Sequence, residues 1–203
     1  EPDPADPKSV TLGQAPLNAP FIYIAQHEVN QVVKLDTLTG QRKWEVNSHG
    51  TYPSRTAVAY DYSVWVGNRG FNNPADPASS NVVHLDTDGN LICRADVTGI
   101  ARGLAIDADG FIWAGTWDAK RLYKINGSLV DQTPDGPRCH IERTFDVGVS
   151  MYGLAVDGRG YVYACSLPNI LRLDIRTGQF DNTIPLSACY GIAVSPKDGR
   201  VWF

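Results

Sequence analysis

The chain has 203 residues, 43% hydrophobic and 20% charged, with a formal net charge of −4. That balance describes a folded domain able to bury a sizeable core, not a disordered segment. It lacks the dense basic surface that binding to a nucleic-acid backbone requires, and no apolar run approaches the roughly 20 residues of a membrane-spanning helix.

Residues 1–20 are proline-rich with little periodicity and read as an extended leader or linker. A chain opening on Glu1 is expected of a processed or trimmed product. From Phe21 onward, short alternating or apolar runs punctuated by Gly and Pro predict strands, not helices. Strands fall at residues 21–25, 31–36 and 42–46, with a hairpin turn at Asp36-Thr37-Leu38-Thr39-Gly40 that places Gly40 at positive φ.

A phrase then recurs: RTAVAYD from Arg55, RGLAID from Arg102, YGLAVD from Tyr152 and YGIAVS from Tyr190. Each copy leads through a turn into an aromatic-rich strand (SVWVG, FIWAG, YVYAC, RVWF). Most continue into a third strand with an acidic turn (VVHLDTDGN, RLYKINGS, ILRLDIRTG). The units span residues 55–97, 102–147, 152–184 and 190–203, and residues 69–80 and 128–137 read as inserted surface loops. The first two strands of each unit are nearly continuous apolar runs, as strands buried on both faces are. The outer strands are more polar.

Self-similarity at roughly forty residues, with three or four strands per unit, predicts an all-β β-propeller of four-stranded antiparallel blades over residues 21–203, with partial first and last blades. Because the last unit stops inside its second strand, the chain is expected to be part of a larger ring, completed by further blades as another chain or segment. The alternative is a closed four-bladed propeller in which residues 191–195 supply the inner strand of the first unit. It leaves no place for residues 201–203.

The four cysteines fit two disulfides or four buried thiols. Cys165 ends a second strand and Cys189 precedes the next inner strand, so the two are expected to bond on one face. Cys93 and Cys139 sit on outer strands of adjacent blades, where rims diverge, and are the less favoured pair. Disulfides would place the chain in a secreted, periplasmic or cell-surface setting.

Loops entering the inner strands and leaving the second strands of a propeller ring the mouth of its channel. Arg55, Arg102, Tyr152 and Tyr190 are read as equivalent positions there, with Asn68, Trp117 and Asp118 at the rim. Arginine forks and aromatic faces suit an anionic or glycan ligand. The competing reading makes Arg55 and Arg102 spacers paired with Asp residues of neighbouring blades. His27, Glu28 and His49 could form a nitrogen–oxygen metal set, although satisfied surface histidines are the favoured reading, and His84 and His140 have no evident partner. The turns at residues 86–90 and 107–110 invite structural calcium, but lack the EF-hand spacing and are explained by tight-turn chemistry. No nucleophile-elbow, P-loop, dinucleotide or HExxH motif occurs. Asn126-Gly127-Ser128 fits a glycosylation sequon in a turn position.

The phrases YGLAVDGRGYVY from Tyr152 and YGIAVSPKDGRVWF from Tyr190 resemble the repeat of the streptogramin lyase (virginiamycin B lyase) family and the wider NHL-type propellers. PSRTAV from Pro53 with VWVGNR from Val64 resembles a repeat of myxobacterial-type secreted surface proteins. The resemblance covers about residues 21–203 and implies the propeller fold. It implies for the lyases a His before the inner strand and a Glu near the end of the next strand, with magnesium. The matching positions are Arg55, Arg102, Tyr152 and Tyr190, then Gly67, Gly115 and Ala164, none of them His or Glu. The sequence therefore points to a secreted or cell-surface binding and interaction module with no cofactor of its own. The alternative is a lyase- or lactonase-like enzyme whose catalytic residues lie in blades outside this chain.

Overall fold

The computed structural model describes residues 20–166, 169–185, 189–195 and 197–203, and the strand course alone of residues 2–3 and 6–10. Pro2–Asp3 (β1) and Asp6–Val10 (β2) form a small antiparallel ladder. The rest of the predicted leader lies outside the described residues apart from Pro20, whose carbonyl accepts from Thr37 N–H at 3.0 Å.

The blades follow in chain order. The first has three strands: β3 (Phe21–Gln26), β4 (Gln31–Asp36) and β5 (Arg42–Asn47). The second has four: β6 (Pro53–Val58), β7 (Val64–Arg69), β8 (Ser80–Leu85) and β9 (Leu91–Ala95). The third comprises β10 (Ala101–Ile106), β11 (Ile112–Thr116), β12 (Arg121–Thr133) and β13 (Gly136–Asp146). The fourth comprises β14 (Met151–Val156), β15 (Tyr161–Ser166), β16 (Asn169–Asp174) and β17 (Phe180–Pro185). A two-stranded unit, β18 (Ala193–Val194) and β19 (Val201–Trp202), comes last. Within each blade neighbouring strands run antiparallel. This is a β-propeller array. The closed four-bladed alternative does not hold: β18 pairs with β19, and β3 is an edge strand of its sheet.

One cross-strand device recurs in every blade. An aromatic on the second strand faces a basic or imidazole side chain on the third: Tyr23 opposite Lys34, Trp65 opposite His84, Trp113 opposite Lys124 and Tyr163 opposite Arg172. Lys34 Nζ lies 3.8 Å from the Phe21 ring centroid, Lys124 Nζ 3.9 Å from that of Phe111, and the Arg172 guanidinium 4.5 Å from that of Tyr161. In the second blade the His84 ring stacks on Trp65 at 4.1 Å. Directly opposed side chains of an antiparallel pair reinforce each other, and a cation over a ring adds attraction.

The core lies between blades. Val32 and Tyr23 of the first blade pack with Val64, Val66 and Leu85 of the second. Trp65 and Val82 meet Ile112 and Ile125 of the third, and Trp113 and Leu122 meet Leu154 and Val162 of the fourth. Inner strands come so close that a Cβ at Gly103 would lie 2.7 Å from Leu154 Cγ, so this position needs glycine.

Both disulfides form: Cys165–Cys189, with Cα atoms 5.5 Å apart, and Cys93–Cys139, at 5.1 Å. The second corrects the expectation of diverging rims. Residues 128–137, read as a loop, instead prolong the β12–β13 hairpin, whose turn is near Asp135. The lengthened β13 reaches back to β9 with a parallel bridge between Arg138 and Arg94, which carries Cys139 to Cys93. Of the expected insertion 69–80, residues 70–79 form a loop, while Arg69 and Ser80 pair across β7 and β8.

Candidate functional site

Inner strands run from the mouth towards the far end of the array, so the turns joining first to second strands lie at that far end. There the carboxylates are engaged. Asp107 accepts from the Asp109 and Phe111 N–H groups and, through Oδ2, from Trp113 Nε1 at 2.8 Å. Asp157 repeats this with Arg159, Tyr161 and the Tyr163 hydroxyl at 3.0 Å. Asp36 is drawn down to about 2 by the Thr39 N–H and Lys43, and Asp174 to about 2 by Arg176. The Asp86 turn, offered as a calcium loop, spends its carboxylate on the Asp88 and Asn90 N–H groups and the Asn90 amide. A shallow cleft of about 240 Å³ between the third and fourth blades is lined by these committed groups, among them Asp107, Asp157, Arg159 and Arg176.

The mouth is different. The Arg102 guanidinium lies 4.2 Å from the Tyr152 ring centroid and that of Arg55 lies 5.1 Å from it. Trp117 meets Tyr152 edge-on at 5.8 Å, and the Tyr190 ring is 4.0 Å away, its hydroxyl bonded to that of Tyr152. The expected convergence of Arg55, Arg102, Tyr152, Tyr190 and Trp117 is thus present. The spacer reading is not. Among the described residues neither arginine forms an ion pair; Arg55 donates to the Ser54 carbonyl at 2.9 Å and to the Tyr152 hydroxyl. Burial raises the Tyr152 pKa, but the Tyr190 hydroxyl and the charges of Arg102 and Arg55 outweigh it and bring the phenol below its ordinary value.

Three assignments need correction. Arg55 and Arg102 are not equivalent: Arg55 pairs with Gly67, whereas the residue opposite Gly115 is Gly103, so Ser54 is the counterpart of Arg102. Each inner strand carries a bulge there, and it lets two arginines one register apart reach the same ring. By the same register the counterpart of Gly67 and Gly115 is Cys165, not Ala164. Asn68 is not at the rim. It is fully buried and donates to the Ser48 carbonyl at 2.7 Å and to Asn81 Oδ1 at 2.8 Å, tying the entering loop to the blade. Asp118 remains exposed and accepts from Ile100 N–H at 2.6 Å, bracing the next entering loop.

A third arginine, placed by the sequence at the end of a second strand but not among the ligand-binding residues, joins them. Arg69 closes β7 and lies in the field of Arg102 and Arg55, which with burial as the larger cause lowers its pKa. Its Nη2 is 2.9 Å from both ring nitrogens of His27. The signal was in the sequence, because Arg69 immediately follows Asn68 at the end of a second strand. His27, Glu28 and His49 do not assemble a metal set: among the described residues no three His, Cys, Asp or Glu side chains gather for one. His84 does have a partner, the Ser63 hydroxyl at 2.7 Å, which in turn donates to Asp61 Oδ1 at 2.5 Å. Asn126 is held in the β12–β13 hairpin by Glu142 Oε1 at 2.9 Å.

No protein-family model matches the chain, and no curated protein matches it. Solved structures do. A streptogramin B lyase superposes with a TM-score of 0.68 at 19% identity, over 90% of this chain and 58% of its own. Virginiamycin B lyase from Staphylococcus aureus gives 0.68 at 16% identity, over 90% and 59%. A catalytically inactive variant of that lyase with quinupristin gives 0.69 at 16%, over 92% and 60%. The chain therefore spans about 60% of the length of these structures, and at such identities the likeness is one of fold.

Proposed function

We propose that this chain is a secreted or cell-surface propeller module that binds an anionic ligand, a glycan or a small ring-bearing acid, at the channel mouth. One observation carries the reading: Arg55 and Arg102 converge on Tyr152 with no carboxylate engaging either among the described residues. Two guanidinium groups left unneutralised beside exposed aromatic rings supply planar donors for a carboxylate or sulfate and faces for a sugar ring. The two disulfides support an oxidising location, and no described helix is long and apolar enough to cross a membrane. Calorimetric titration with glucuronate, a sulfated monosaccharide and glucose tests the proposal. Binding of the acids but not of glucose, lost in Arg102→Ala, is expected; equal binding of glucose, or none by any acid, overturns it.

A second reading is an enzyme of lyase or lactonase type, favoured by the likeness in fold to streptogramin lyases. Against it, the positions matching the lyase pattern hold Arg, Tyr, Gly and Cys, and the His27–Glu28 pair at the mouth, 3.5 Å apart, has its imidazole engaged by Arg69. Incubation with quinupristin separates the readings: ring opening by this chain would favour the enzyme.

A further inference from the structure

Beside the Arg55–Arg102–Tyr152 cluster lies a second group with the same chemistry. Arg69 has its Nε buried and without a partner among the described residues, a donor whose desolvation is uncompensated. Its guanidinium lies 5.6 Å from the Phe71 ring centroid, and Phe71 is 60% exposed. Tyr52 stands between His27, at 4.9 Å, and Phe71, at 6.4 Å. Its backbone is held at φ 56°, a conformation that costs a tyrosine free energy. Three bonds hold it there: its N–H donates to Asn30 Oδ1 at 2.7 Å, its carbonyl accepts from Arg69 N–H at 3.2 Å, and its hydroxyl accepts from the Asn72 amide at 2.8 Å. The strain fixes an aromatic ring at the mouth beside a second arginine. Ring and cation thus occur twice: Tyr152 beneath Arg102 and Arg55, with Tyr190, 71% exposed, against it, then Phe71 and Tyr52 with Arg69.

We infer that the mouth holds two adjacent subsites for an acidic oligosaccharide, one acidic sugar at Arg55, Arg102 and Tyr190 and a second at Arg69, Phe71 and Tyr52. This rests on the anionic-ligand reading above and adds to it a ligand with a repeating ring and charge. A nucleic acid also repeats a ring and a charge, but a chain of net charge −4 is poorly suited to a polyphosphate. Carboxylate and sulfate share the required chemistry.

Calorimetric titration with galacturonate mono-, di- and tetramers, and with sulfated galactose oligomers of equal lengths, tests this. Affinity should rise at least about tenfold from monomer to the longer acids, since the second contact is made at high effective concentration. Phe71→Ala and Arg69→Gln should each abolish that rise. Phe71 is exposed, so its variant tests the subsite even if Arg69→Gln fails to fold. The preferred series identifies uronate or sulfate as the charged group. Equal affinity at all lengths, or an undiminished rise in Phe71→Ala, overturns the two-subsite inference while monomer binding lost in Arg102→Ala still upholds the first reading. No binding at any length overturns both.

Discussion

The two ends of the propeller treat charge in opposite ways. At the far end, Asp36, Asp107, Asp157 and Asp174 each accept from backbone N–H groups of their own turn, and side-chain donors add to them. At the mouth, Arg55, Arg69 and Arg102 crowd together among aromatic rings, none of them ion-paired among the described residues. Satisfied charge stabilises architecture, because a bonded carboxylate fixes a turn. Unsatisfied like charge opposes folding and persists where something other than stability uses it. The repeat supplies the first kind in every blade and leaves the second to a few positions that differ between blades.

The largest effect should come from breaking the far end. Trp113→Ala opens a cavity between the third and fourth blades and leaves Asp107 Oδ2 without its indole donor. A loss of about 3–5 kcal/mol is expected, read as a lower midpoint in urea, with anion binding retained wherever the protein remains folded.

Opening the Cys165–Cys189 bond, by changing both residues to Ala, should cost about 2–4 kcal/mol and also weaken anion binding, since Cys189 anchors Tyr190. Loss of stability with unaltered binding would place Tyr190 outside the site.

The third prediction concerns pH. Burial lowers the His84 pKa from 6.5 to about 4, with Asp61 and Asp86 opposing. The unfolded chain therefore binds a proton below pH 6.5 that the folded chain refuses until about 4. Stability from neutral His84 is complete above pH 6.5 and is lost as pH falls to about 4, by no more than about 3 kcal/mol. Urea midpoints between pH 7 and 4 should fall less steeply in His84→Gln; parallel slopes would mean that His84 does not titrate this way.

The smallest effect on stability, and the one that most sharpens the contrast, is expected of Arg102→Ala. It removes one of three like charges and no ion pair, so stability should change by less than about 0.5 kcal/mol. Anion affinity should fall by about 1.5–3 kcal/mol, seen by calorimetry. A large stability loss with intact binding would return Arg102 to an architectural role.

What the sequence made legible were features carried by local pattern. The phase of the repeat units, the strand order within them and the Cys165–Cys189 bond follow from alternation and turn residues, because side-chain period and turn chemistry are local. The pairing of an aromatic with a basic or imidazole side chain across the second and third strands was not legible, because the spacing of its partners varies with the length of the connecting loop, as Trp65 with His84 and Trp113 with Lys124 show. Register was not legible at the bulges. RTAVAYD and RGLAID align by eye on their arginines, yet the ladder places Arg55 opposite Gly67 and Gly103 opposite Gly115. A bulge shifts pairing by one residue and leaves no compositional mark.

The sequence by itself determined an all-β repeat, its strands and turns, and a cysteine spacing that brings Cys165 to Cys189, since hydrophobic alternation and turn propensity act over a few residues. Only the tertiary structure decided that Asn68 is buried, that residues 128–137 lengthen a hairpin whose outer strand carries Cys139 to Cys93, and that Arg55 and Arg102, one register apart, reach the same Tyr152 ring. Those outcomes depend on how blades tilt and stack against one another. That geometry comes from packing between segments far apart in the chain, and no local pattern encodes it.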